Sequence, residues 1–176
     1  KKGITYSHKL NRDSKVTLSS NLLTPMELEN AGEIKVYYDN STPYEIFSMN
    51  LSGGIVYPDS SFHIELLDDQ LSISGIAGTF YDTVFIWAQP IATSLPNEGK
   101  ILSGPYFVKP YLIPFNNEIQ LSIAIEPIHS IKPIAIYYYN QKKFEWQYLP
   151  SQLSSDSLYL ETSILSGEIF AVIEEN

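Results

Sequence analysis

Apolar and polar residues alternate with a period of two along most of this chain, the pattern of half-buried strands rather than of helices. The clearest run is 119–125, where Ile119, Leu121, Ile123 and Ile125 share one face and Gln120, Ser122 and Ala124 the other. Residues 62–66 repeat the pattern, with Phe62, Ile64 and Leu66 opposed to His63 and Glu65. Further runs at 34–38, 44–49, 133–139, 144–148, 157–162 and 168–173, and a weaker one at 15–19, are bounded by turn residues such as Asp39–Pro43, Asn140–Lys143 and Ser166-Gly167. Residues 83–91 are more continuously apolar, as in a strand covered on both faces. Roughly twelve or thirteen strands of ordinary length are expected. The fold class predicted is all-β, one or more antiparallel sandwiches of immunoglobulin-like type. At most one short helix is expected, near residues 25–31, with Thr24 as N-cap, Pro25 in the first turn and Gly32 as terminator.

Composition strengthens this reading. Thirteen tyrosines and eight phenylalanines suit a pleated surface. A chain of 176 residues can bury a core without a staple. The net charge of −9 and the absence of a Lys/Arg cluster exclude a phosphate-binding surface, so no nucleic acid partner is expected. No apolar run reaches the length of a membrane span, so no membrane insertion is expected. Absence of cysteine, with a start at Lys1-Lys2 that reads as trimmed, points to an exported bacterial protein, extracellular or in the cell envelope.

The candidate chemistry is sparse. His8, His63 and His129 form no ligand motif, and Asp68-Asp69, with Asp59 nearby in sequence, reads as a turn rather than a calcium loop. No nucleophile elbow, phosphate loop or dinucleotide fingerprint is present. The expectation is no catalytic residue, no metal and no cofactor. The remaining lead is aromatic: Tyr137, Tyr138, Tyr139, Phe144, Trp146 and Tyr148 fall on two neighbouring strands, so alternate members point outward. They form either a strip that stacks on a glycan or anchors a protein, or ordinary core packing.

From Gly53 onward the order of features resembles the ZU-type β-sandwich shared by zona occludens protein, netrin receptors and ankyrins. The matching residues are Gly53-Gly54-Ile55-Val56, Phe62–Leu66, Thr83–Ile91, Gly104-Pro105-Tyr106-Phe107, Phe115–Ile123, the Tyr-rich run to Trp146, and Phe170-Ala171-Val172. Asp68-Asp69 stands where those domains have a proline-glycine turn. The resemblance implies a sandwich over 53–176, preceded by a β segment over 1–52. It implies a non-catalytic accessory or interaction module of a larger bacterial surface or envelope protein, beside a peptidoglycan endopeptidase or in an adhesin, with a protein or cell-wall glycan as partner. Self-cleaving relatives use a His beside a hydroxyl nucleophile near the last strand; here Ser166 supplies a hydroxyl, but Ile164 stands near the His position.

Overall fold

The computed structural model describes residues 24–26, 29, 33–38, 44–91, 99–111, 113–126 and 132–175, with the backbone alone for 33–38 and 44–49. The expected strand at 15–19, the turn at 39–43, and His8 and His129 lie outside the described residues. Pro25, Met26 and Glu29 have helical backbone where the short helix is expected. The chain divides into two compact units, Lys1–Leu51 and Ser52–Asn176. In the first, β1 (Glu33–Tyr38) pairs antiparallel with β2 (Tyr44–Asn50), with a register shift between Val36 and Tyr37.

The second unit is an all-β sandwich of two antiparallel sheets. Its strands are β3 (Ser52–Val56), β4 (Phe62–Leu66), β5 (Leu71–Gly75), β6 (Val84–Pro90), β7 (Lys100–Lys109) and β8 (Pro114–Ala124). They continue with β9 (Ile134–Asn140), β10 (Glu145–Leu149), β11 (Gln152–Leu153), β12 (Tyr159–Ser166) and β13 (Ile169–Glu174). One sheet has six strands in the order β10-β9-β13-β7-β6-β3, and the other five in the order β11-β12-β8-β5-β4.

The alternating residues meet between the sheets. Leu66, Leu71, Ile119, Leu121 and Ile123 from the smaller sheet are fully buried, as are Ile136 and Val172 from the larger. Phe80, Phe115 and Phe62 close one part of this core, with Phe80 and Phe115 edge to face at 5.1 Å. Burying a Leu or Ile side chain contributes roughly 1.5–3 kcal/mol, so this shared layer holds the sheets together.

One sequence expectation is corrected. The sequence places Pro105, with Pro58, Pro114, Pro127 and Pro133, at a strand start or end, where the missing N–H costs least. Pro105 instead lies buried inside β7, the strand between β13 and β6. The ladder accommodates it by a register shift: Phe170 pairs with Tyr106 but Val172 with Ser103, so Ala171 faces both Gly104 and Pro105. A bulge is where an interior proline loses least, because the extra residue needs no ladder bond. Gly104, with φ of +90°, supplies the backbone turn that a side chain would oppose.

Candidate functional site

The outer face of the five-stranded sheet is polar throughout its centre. Strand register lines up its outward residues in rows running across the strands. His63 pairs with Ser74, and Ser74 with Gln120, which in turn faces Ser163. One step along, Glu65 pairs with Ser72, Ser72 with Ser122, and Ser122 with Glu161. These rows, with Asp69 and Tyr159 at one side, line a shallow groove of about 320 Å³. His63 Nδ1 lies 2.7 Å from Ser74 Oγ, and its Nε2 is 3.8 Å from Glu65 Oε1. This Ser–His–Glu set is open to solvent, with His63 and Glu65 side chains 58% and 67% exposed. β5 is bonded to a neighbour on both sides, so its N–H groups are committed to the ladders rather than converging on an oxyanion. The set is suited to hydrogen bonding a ligand.

The six-stranded sheet carries the aromatic candidates, and its register divides them. Tyr138 turns inward, packs against the core and hydrogen-bonds Gln147. Tyr137, Tyr139, Trp146 and Tyr148 share the outer face, because Tyr139 pairs with Trp146 and Tyr137 with Tyr148. Each pair packs edge to face, at 5.3 Å for Tyr139–Trp146 and 5.8 Å for Tyr137–Tyr148. Tyr139 is buried, whereas Tyr148 is exposed. The Trp146 indole N–H is buried without a hydrogen-bond partner. Tyr137 donates to Glu175; burial, aided by that bond, pushes its hydroxyl pKa up to about 12.

Phe144, expected as the first residue of the second aromatic strand, lies just before that strand. It ends the β9–β10 turn, 73% exposed, with φ of 57°. The turn is held by Asn140, whose Oδ1 accepts from the Lys142 and Lys143 N–H groups at 3.1 Å and whose carbonyl accepts from Phe144 N–H at 2.8 Å. A bulky side chain in the left-handed region is an outlier costing about 1–2 kcal/mol.

A third cluster lies where β7 approaches the β12–β13 turn. Lys109 Nζ sits 3.8 Å from the centre of the Phe107 ring and 5.5 Å from that of Tyr111. Partial burial lowers the Lys109 pKa. Glu168 is held above the usual carboxylate range by burial, against which a hydrogen bond from Ser166 acts. The Ser166 hydroxyl is therefore engaged by a carboxylate. The Asp68-Asp69 turn is left-handed, with φ of 56°, 53° and 65° at Leu67, Asp68 and Asp69. No group of three or more metal-ligating side chains gathers among the described residues, and no helix among them is long and apolar enough to cross a membrane.

No family model matches this chain, and no curated protein matches it significantly.

Proposed function

We propose that this chain is a non-catalytic interaction module of an exported bacterial surface or envelope protein, and that it docks a protein partner through the outer side of the β9–β10 hairpin. The observation carrying this reading is Phe144, an exposed aromatic kept in a left-handed conformation at the tip of that hairpin. Backbone strain at an exposed side chain works against stability and persists where the residue serves another purpose. Tyr148 extends the apolar surface. Aromatic anchors of this kind dominate protein interfaces. The resemblance of residues 53–176 to ZU-type domains supports the accessory role, since such domains accompany larger envelope proteins.

A second reading, glycan capture by the strip of Tyr137, Tyr139, Trp146 and Tyr148, draws on the Tyr148 ring, because Tyr139 is buried and Tyr137 and Trp146 are half-buried. Phe144→Gly separates stability from function. The variant is expected to melt higher, by about 1 kcal/mol of added stability, and to lose retention of a partner from solubilised envelope extract. Tyr148→Ala should also lose retention with its melting temperature unchanged. Undiminished retention in both variants defeats the hairpin reading. Co-sedimentation of the wild type with purified peptidoglycan, abolished by Tyr148→Ala, favours the glycan reading instead.

A further inference from the structure

We propose that the polar groove on the five-stranded sheet is a second binding site, for an amine-bearing oligosaccharide lying across β5, β8 and β12. The site is independent of the β9–β10 hairpin, which belongs to the other sheet. Three observations converge on this ligand class. The first concerns hydroxyls and amides. Ser72, Ser74, Gln120 and Ser122 stand side by side on paired strands and all line the groove. Neighbouring strands are about 4.8 Å apart, a step close to one pyranose ring along a β-linked chain. A sugar chain crossing the strands thus meets a donor or acceptor at nearly every ring.

The second is Ser122. The residue is nine-tenths buried and lines the groove floor. A ligand hydroxyl reaching the floor meets a hydroxyl there that can donate or accept. The third is charge. The lining carries Glu65, Asp69 and Glu161 but no Lys or Arg, so an anionic glycan is repelled and an ammonium-bearing one attracted. Glu65 and Glu161 flank Ser72 and Ser122 in one row, which places a carboxylate at each end of a ligand lying along it. Tyr159, at the edge, offers a ring for the apolar face of a terminal sugar. The groove volume of about 320 Å³ is at the small end of ligand sites, so a short segment fills it.

The test is a titration of the whole chain, followed by backbone amide chemical shifts and by calorimetry, with the β-linked glucosamine tetramer as probe. Its N-acetylated form, the galacturonate tetramer and spermidine serve as comparisons. The expected result is that shifts concentrate on β5, β8 and β12, binding weakens in the order amine, N-acetyl, galacturonate, and spermidine binds at least about tenfold more weakly than the glucosamine tetramer. Glu65→Gln combined with Glu161→Gln should weaken the glucosamine tetramer about tenfold or more. Ser72→Val, at a part-exposed position, should weaken both glucosamine and N-acetyl forms with the melting temperature unchanged. Tyr148→Ala should leave all of this binding intact, which keeps the outcome separate from that of the hairpin. The proposal is overturned if the tetramer moves no groove resonance, if spermidine binds as tightly as the tetramer, or if the groove variants bind like wild type.

Discussion

At single residues the fold sets narrow tolerances. Gly167 is buried between β12 and β13, where an added Cβ would fall 2.6 Å from the Val108 carbonyl oxygen and closer still to that of Pro110. Backbone on that side cannot move aside as a flexible side chain does. Gly167→Ala is expected to cost about 1–3 kcal/mol, the range of overpacked sites, read as a lower denaturation midpoint with an unchanged slope. Glu168 beside it behaves oppositely. Its carboxyl is held above the usual range chiefly by burial, so folding favours the protonated form. The favourable contribution is complete below the ordinary carboxylate pKa and is lost as pH rises from there through the raised pKa of the folded state. Glu168→Gln should therefore raise the melting temperature at neutral pH and leave it unchanged in acid, checked by thermal melts across that range. The amide still accepts from Ser166, so the hydrogen bond need not be lost.

At the level of elements, the β9–β10 hairpin depends on Asn140, which ties two N–H groups of its own turn. Asn140→Ala removes both bonds, and by comparison with helix N-caps should cost about 0.5–2 kcal/mol. Fraying is expected to begin at Glu145 and Trp146, visible as faster amide exchange there. The strands were legible in proportion to how simply they alternate. The second half of β8 was legible because Ile119, Leu121 and Ile123 face the core while Gln120 and Ser122 face out, although the strand begins earlier, at Pro114. β7 was not read as one strand, because Gly104-Pro105 reads as a break and only the bulge opposite Ala171 reveals its continuity. β5 was hidden for a different reason: its first residue, Leu71, reads as the end of the Asp68-Asp69 turn. The groove was illegible for a reason of its own. Its polar residues were visible singly, but their neighbourhood is created by register between β4, β5, β8 and β12, which no local pattern encodes. The aromatic strip was half legible: alternation divides Tyr138 from its neighbours, but the edge-to-face pairing that closes off Tyr139 is a matter of three dimensions.

For the molecule as a whole, the all-β sandwich follows from the repeated match between apolar faces and the shared core. A fragment of residues 52–176 keeps both sheets and is expected to unfold in one cooperative transition by calorimetry. Its boundary matters to the residue. Ser52 Oγ accepts from the Leu67 N–H at 2.6 Å, so a fragment beginning at Gly53 should melt lower than one beginning at Ser52. The strand order has a further consequence. β13 lies between β9 and β7, yet it begins only at Ile169, well after β9 ends at Asn140 and longer still after β7 ends at Lys109. During synthesis, then, the six-stranded sheet has a gap at its centre until residues 169–174 emerge from the ribosome. Until that moment β9-β10 and β7-β6-β3 are separate pieces with four open edges between and beside them. The growing chain therefore relies on whatever shields those edges during translation, and slowing the ribosome before residue 169 should lengthen its exposure to chaperones and proteases rather than help it fold.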